Sequence, residues 1–226
     1  MTTTLLIATR NRHKAEEIRA ILGAEVQCLT LNDFSGAPPL VEDAATFAGN
    51  AARKAEQLAQ WVAGMPKAGG RMPDAGSFVL ADDSGLEVDA LNGAPGVYSA
   101  RFAAMDAGAG GNSSDAENNA KLLRLLADVP LSKRTARFRC ALALVEIGSS
   151  SSASTPLIFE GACEGRISFA PSGQGGFGYD PLFVPEGFAQ SFAELGEEVK
   201  NRLSHRAHAL ARLREWMQKQ PRQGTR

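Results

Sequence analysis

The sequence lacks a surplus of charge of either sign. Lys and Arg number 24 and Asp and Glu 25, for a net charge of −1. A protein that coats duplex nucleic acid usually carries a basic excess, so nucleic acid is not an expected partner. A local basic pocket for a small anion is still allowed. Cysteine is scarce: Cys28, Cys140 and Cys163, with no C-x-x-C pair. That argues against a disulfide framework or a Cys-rich zinc site and for a reducing, cytoplasmic compartment. No apolar run reaches the length of a membrane span, and Met1-Thr-Thr-Thr-Leu-Leu-Ile-Ala lacks the basic start and long apolar core of a secretion signal. No membrane association is expected. There is no Walker G-x-x-x-x-G-K-[ST] motif and no internal repeat. The chain does have an ordinary globular balance, 44% hydrophobic and 22% charged over 226 residues, which excludes a disordered chain.

Local patterns predict a mixture of strands and helices. Thr4 to Ala8 reads as a buried strand. Asn11 can cap a helix with Ile18, Ile21 and Leu22 on one face, ended by Gly23. A second helix starts near Thr46, with Phe47, Ala51, Ala55, Leu58 and Val62 at helical spacing. Phe78 to Ala81 reads as a short strand running into Asp82-Asp83-Ser84-Gly85. Ser114-Asp-Ala-Glu117 is a capping box. Arg137 to Ile147 alternates as a strand, and Leu157 to Ile167 can return as its hairpin partner. One further helix is expected from Val199 to Met217. Residues 64–77, 106–114 and 148–156 read as loops, and 218–226 as a frayed tail. The class is α/β with a mixed sheet.

Five constellations carry possible chemistry. Thr9-Arg10-Asn11-Arg12-His13-Lys14 lies between a strand and a helix N-terminus, where unpaired N–H groups favour an anion; a plain helix cap fits equally well. Glu42 precedes a helix on which Asn50 and Lys54, four apart, share a face. At Asp82-Asp83 one carboxylate can cap a turn while the other points into a cleft, where it could hold Mg²⁺ or take a proton from water. Gly173-Gln-Gly175-Gly176-Phe177-Gly178-Tyr179-Asp180-Pro181 contains G-x-G-x-x-G, but Pro171 before it and Tyr-Asp-Pro within it exclude the dinucleotide reading. Its glycines still demand unusual backbone or close ligand approach. Lys200-Asn-Arg-Leu-Ser204-His205-Arg206 could read a base or hold phosphate.

Taken in order, these segments resemble the inosine triphosphate pyrophosphatases from Leu6 to about Leu210. The motifs are Thr9-x-Asn11-x-x-Lys14, Glu42, Ala81-Asp-Asp-Ser-Gly-Leu-x-Val-Asp-Ala-Leu, Gly93-Ala-Pro-Gly-Val-Tyr-Ser-Ala-Arg101, Phe177-Gly-Tyr-Asp-Pro and Ser204-His-Arg206. The resemblance implies hydrolysis of deaminated purine nucleoside triphosphates (dITP, ITP, XTP) to the monophosphate and pyrophosphate. It implies an elongated mixed sheet with flanking helices, two lobes around a nucleotide-binding cleft within one domain (1–217), and a homodimer. It implies that Thr9, Arg10, Asn11, Arg12, His13 and Lys14 bind the triphosphate with help from Lys54. Glu42 and Asp83 would hold Mg²⁺, and Asp83 would also activate water. Ser84 would contact the substrate, Phe177, Gly178, Tyr179 and Asp180 would form the nucleoside pocket, and Lys200, His205 and Arg206 would meet the base.

One departure stands out. Where the family commonly has Glu in Thr-Phe-x-Glu-Asn-Ala, this chain has Gly49, read here as a mid-helix glycine costing roughly 1 kcal/mol against Ala. Two other readings stay open from sequence: a Mg²⁺-dependent pyrophosphatase for modified pyrimidine or methylated nucleotides, and a binding module that kept the pocket.

Overall fold

The computed structural model describes residues 3–34, 36–65, 77–108, 111–148 and 155–220. Parts of the expected loops 64–77, 106–114 and 148–156, and residues 221–226 of the expected tail, lie outside them. The described strands are β1 (Thr3–Ile7), β2 (Val26–Thr30), β3 (Phe78–Val88), β4 (Thr135–Glu146), β5 (Leu157–Ile167) and β6 (Phe183–Pro185). They form one sheet in the order β2-β1-β3-β4-β5-β6. β1 pairs parallel with β2 and β3, and the remaining pairs are antiparallel. The helices are α1 (Arg12–Leu22), α2 (Phe47–Ala63), α3 (Asp115–Leu125), α4 (Phe192–Leu203) and α5 (His205–Lys219). This is the mixed α/β sheet with flanking helices that the sequence predicts.

Helix starts follow local capping chemistry. Asn11 accepts from the Lys14 amide, Thr46 from Gly49, and Ser114 forms a reciprocal box with Glu117. Alternation then sorts the strand side chains. Leu5, Ile7, Leu80, Cys140, Leu142 and Leu144 pack with α1 and α5, while Leu6, Val79, Ala81, Ala141 and Ala143 pack with α2. A third core holds Leu86, Phe138, Tyr179, Phe183 and Phe192.

Three sequence expectations need correction. The strand from Phe78 does not stop at Ala81: β3 runs to Val88, so Asp82 to Gly85 sit mid-strand opposite Leu142 to Arg139. Continuous pairing along β4 overrides the weak strand preference of Asp and Gly. The helix expected from Val199 to Met217 is two helices. Ser204 breaks it with extended backbone (φ −69°, ψ 158°), ending α4 and capping α5 by accepting from the Ala207 amide. β2 and β6, both short, had no counterpart in the sequence reading.

Helix α5 lies directly on β5 at Gly161. A Cβ there would stand 2.1 Å from the His205 carbonyl oxygen and 2.5 Å from the Ala209 nitrogen. The position admits no side chain unless the helix moves. Gly161→Ala should therefore destabilise the fold by about 1–3 kcal/mol, seen as a lower urea midpoint. An unchanged midpoint would show that α5 is not held this closely.

Candidate active site

Successive residues of β3 point to opposite faces of the sheet. Asp82 and Ser84 face α1 and α5, whereas Asp83 faces α2. Each side carries its own buried charge network.

On the α1/α5 side, Asp82 is buried to 2% exposure. It pairs with Lys14 Nζ at 2.6 Å and Arg206 Nε at 3.0 Å, and it accepts from Ser84 Oγ (2.9 Å) and Cys140 Sγ (3.3 Å). Arg206 also donates to Ser84 Oγ at 2.9 Å and pairs closely with Glu17. Glu17 in turn meets Lys200 at 2.7 Å, and Lys200 pairs tightly with Asp180. The Asp180 carboxylate accepts from the Phe177 amide at 2.8 Å, which anchors the Gly-rich segment. Gly176 is required there: its φ is +71°, and a Cβ would lie 2.1 Å from Asp180 Oδ2.

Burial pushes the Asp82 and Glu17 carboxyls up. Arg206 with Lys14 at Asp82, and Arg206 with Lys200 at Glu17, outweigh burial and hold both below the ordinary carboxylate range. At Asp180 burial wins over Lys200, and the carboxyl stays raised. His205 is buried beside Arg206 and Lys200; burial first, then those cations, hold it well below its usual value, so it is neutral. Its ring stacks on Phe138 at 4.8 Å, and its Nδ1 has no hydrogen-bond partner.

On the α2 side, Lys54 Nζ sits between Glu42 (2.6 Å) and Asp83 (3.1 Å) and donates to the Asp82 carbonyl at 2.8 Å. Asn50 donates to Asp83 Oδ2 at 3.2 Å, and its own oxygen accepts from the Ala44 amide, holding the Glu42 loop. A lysine on a helix face is usually a solvated charge; Lys54 is 4% exposed. Asp83 caps no turn, and neither does Asp82. Burial and the neighbouring Glu42 charge leave the Asp83 carboxyl raised despite Lys54 and Lys14.

The α1/α5-side network borders a cavity of about 130 Å³. Of the residues expected at the site, Asn11, Lys14, Ser84, Phe177, Gly178, Tyr179, Asp180, Lys200, His205 and Arg206 line it. Glu42, Lys54 and Asp83 do not line it but lie together on the α2 side. Thr9 and Asn11 serve the cap, Thr9 Oγ1 accepting from the Asn11 amide at 3.1 Å. Arg10 donates to the Ala37 carbonyl, and Arg12 is exposed. His13 stacks on Phe177 at 5.3 Å. Sequence reading assigns Glu17 no role, and Asp82 only a share in the pair in which one carboxylate caps a turn and the other enters a cleft. Glu17 follows Lys14 by three residues, so it shares that helix face, a signal that was available. Ser99, Asp115 and Asn118 also line the cavity; Asp115 accepts from the Gly178 amide at 2.6 Å, and Ser99 accepts from Tyr179 Oη through its carbonyl at 2.9 Å.

Gly49 is not mid-helix. It lies in the first turn of α2, where a Cβ would stand 2.8 Å from Ala44 Cβ and 2.9 Å from Thr46 Oγ1. The 42–46 loop occupies the space a longer residue would need. Among the described residues no group of three or more His, Cys, Asp or Glu side chains is arranged to hold a metal. Two carboxylates sharing one ammonium, Glu42 and Asp83, are still a donor set that suits Mg²⁺, which commonly takes one or two carboxylates and completes its shell with water and phosphate.

The Ham1 family model matches residues 5–216. A dITP/XTP pyrophosphatase of Opitutus terrae is 46% identical over 219 residues, covering 94% of this chain and 97% of that protein. One of Geobacter sulfurreducens is 46% identical, covering 94% and 96%. A HAM1 protein of Coxiella burnetii superposes with a TM-score of 0.75 at 36% identity, covering 96% of this chain and all of that one. No helix among the described residues is long and apolar enough to cross a membrane.

The depressed carboxyls link this site to fold stability. A carboxylate whose folded pKa lies below its unfolded value stabilises the fold above the unfolded value, near pH 4, and loses that contribution as pH falls further. Glu17→Gln should lower stability at pH 7 by roughly 3–5 kcal/mol, since it leaves two buried cations short of a partner. The gap to the parent protein should narrow below about pH 4. Urea unfolding of both proteins at pH 7, 5 and 3 checks this; a gap independent of pH would contradict it.

Proposed function

The chain belongs to the Ham1 family, and from that premise we propose that it hydrolyses dITP, ITP and XTP to the nucleoside monophosphate and pyrophosphate. The names of its relatives support the substrate class. The observation that carries the chemistry is Asp83. It is a buried carboxyl of raised pKa, held by Lys54 and Asn50 one residue away from the cavity wall at Ser84.

The hydrolysis needs charge neutralisation and an activated water. Asp83 accepts the proton of the attacking water. Water then attacks the α-phosphorus and pyrophosphate leaves. Lys14 and Lys54 offset negative charge on the phosphates. Glu42 and Asp83 would hold Mg²⁺, which when bound supplies Lewis-acid charge stabilisation. The Asn11 turn and Ser84 orient the phosphate end.

Base selection follows from donor placement. Hypoxanthine and xanthine present a carbonyl at position 6, where adenine presents an amine. His205 is neutral, lines the cavity and has an unpartnered Nδ1. Arg206 is fixed at Nε by Asp82, at one terminal nitrogen by Glu17 and at the other by Ser84 Oγ, leaving one N–H on each terminal nitrogen for a carbonyl. A site built to bond one group can reject its opposite by about 10⁴–10⁵. Cytoplasmic residence fits the three free cysteines. A homodimer belongs to the same proposal and is carried by the family resemblance.

Pyrophosphate release from dITP and XTP in Mg²⁺ should far exceed release from dATP and dGTP. Asp83→Asn should lower turnover of dITP by roughly 10²–10⁴-fold while nucleotide binding persists. Equal turnover of all four nucleotides would remove the base-selection argument. A variant within tenfold of the parent would remove Asp83 as the base.

A further inference from the structure

The cations gathered at the site are already neutralised by protein carboxylates. Lys14 is paired with Asp82, Lys54 with Glu42 and Asp83, Lys200 with Glu17 and Asp180, and Arg206 with Asp82 and Glu17. Four cations face five carboxylates, so the protein side of the site is formally anionic. A triphosphate adds several further negative charges. Beyond what Lys14 and Lys54 offset, its terminal phosphates call for a cation whose donors are not already engaged.

Arg101 is such a cation. It ends the 3₁₀ turn Gly96–Arg101, immediately after the cavity-lining Ser99 and Ala100. Ser99 Oγ accepts from the Leu86 amide at 2.9 Å and donates to the Gly96 carbonyl at 2.6 Å, fixing the turn to β3. The next residue, Phe102, is buried with the Lys121 ammonium 4.2 Å from its ring centre. Arg101 therefore stands between anchored neighbours, next in the chain to the cavity-lining Ser99 and Ala100. Its guanidinium lies 5.1 Å from the centre of the Tyr98 ring. That contact directs the group and leaves its N–H edges open. Among the described residues no carboxylate pairs with it. Its charge nevertheless reaches Glu42, adding to Lys54 and Lys14 against the upward push of burial there. Arg10, by contrast, is turned to a backbone carbonyl, and Arg12 is exposed without an anchoring stack.

We infer that Arg101 grips the two terminal phosphates of the nucleotide, the pyrophosphate that departs. This inference rests on the reading of the chain as a pyrophosphohydrolase. In that reaction the water oxygen bonds to the α-phosphorus and its proton passes to Asp83. The bond from the α-phosphorus to the bridging oxygen breaks, and its electron pair stays on the pyrophosphate. A bidentate guanidinium meets the charge gained there.

The test separates binding from turnover. Calorimetric titration of the intact protein with magnesium pyrophosphate should show Arg101→Gln weakened by about tenfold or more. Arg101→Lys should be intermediate, because it keeps charge and loses the bidentate edge. The KM for dITP should rise in the same order, with thermal midpoints unchanged. Pyrophosphate affinity of Arg101→Gln within twofold of the parent, or no pyrophosphate binding by the parent, overturns the assignment. Should the parent bind pyrophosphate through Arg101 yet release none from dITP, the grip stands and the reaction reading falls. Should it turn over dITP with Arg101→Gln unaffected, the reverse holds.

Discussion

The buried carboxylate of Asp82 is the point on which the site depends. It receives Lys14 from α1, Arg206 from α5, Ser84 from its own strand and Cys140 from β4. Removing a carboxylate from water is costly, and the cost is offset only when several donors converge with good geometry. Two of those donors are cations that line the cavity. The same pairing that makes the aspartate tolerable inside the protein therefore fixes where Lys14 and Arg206, the cations proposed to meet the nucleotide, stand. Glu17 extends the arrangement to Lys200, and Asp180 extends it to the Gly-rich segment.

Asp83, one residue along, has the opposite condition. Strand alternation turns it to α2, where burial and Glu42 act against its ionisation and Lys54 only partly compensates. One carboxyl is stabilised as an anion and anchors structure; its neighbour, the proposed base, is held with its carboxyl raised. No difference in residue type is needed, only the pleat of β3 and the different helices on its two sides. Divergent pKa values in adjacent acids are a common mark of divided roles.

Local chemistry was the legible part of the sequence. Caps at Asn11, Thr46 and Ser114 depend on residues three positions apart and could be read directly. The β4–β5 hairpin was visible because Arg137 to Ile147 alternates and a short loop separates it from Leu157 to Ile167. What could not be read depends on distant partners. Asp82 to Gly85 looked like a turn, because nothing local reveals that β4 pairs alongside them. Lys54 looked solvated, because Glu42 and Asp83 reach it only in the folded chain. Ser204 sits inside an uninterrupted apolar stripe, so periodicity hid the break between α4 and α5. Gly49 looked like a helix defect until the Ala44 loop was seen to fill the space beside it. Residues from several of the motif blocks line one cavity, but the blocks left out Glu17, which holds Lys200 and Arg206.

The division of roles between Asp82 and Asp83 is tested most directly by unfolding Asp82→Asn and Asp83→Asn in urea at pH 7. Loss of Asp82 strips two buried cations of a partner, so that variant should lose roughly 3–5 kcal/mol. Asp83→Asn removes a carboxyl that burial already disfavours and leaves Lys54 paired with Glu42, so its loss should be clearly smaller. Equal losses in the two variants, or a larger loss from Asp83→Asn, would contradict the account.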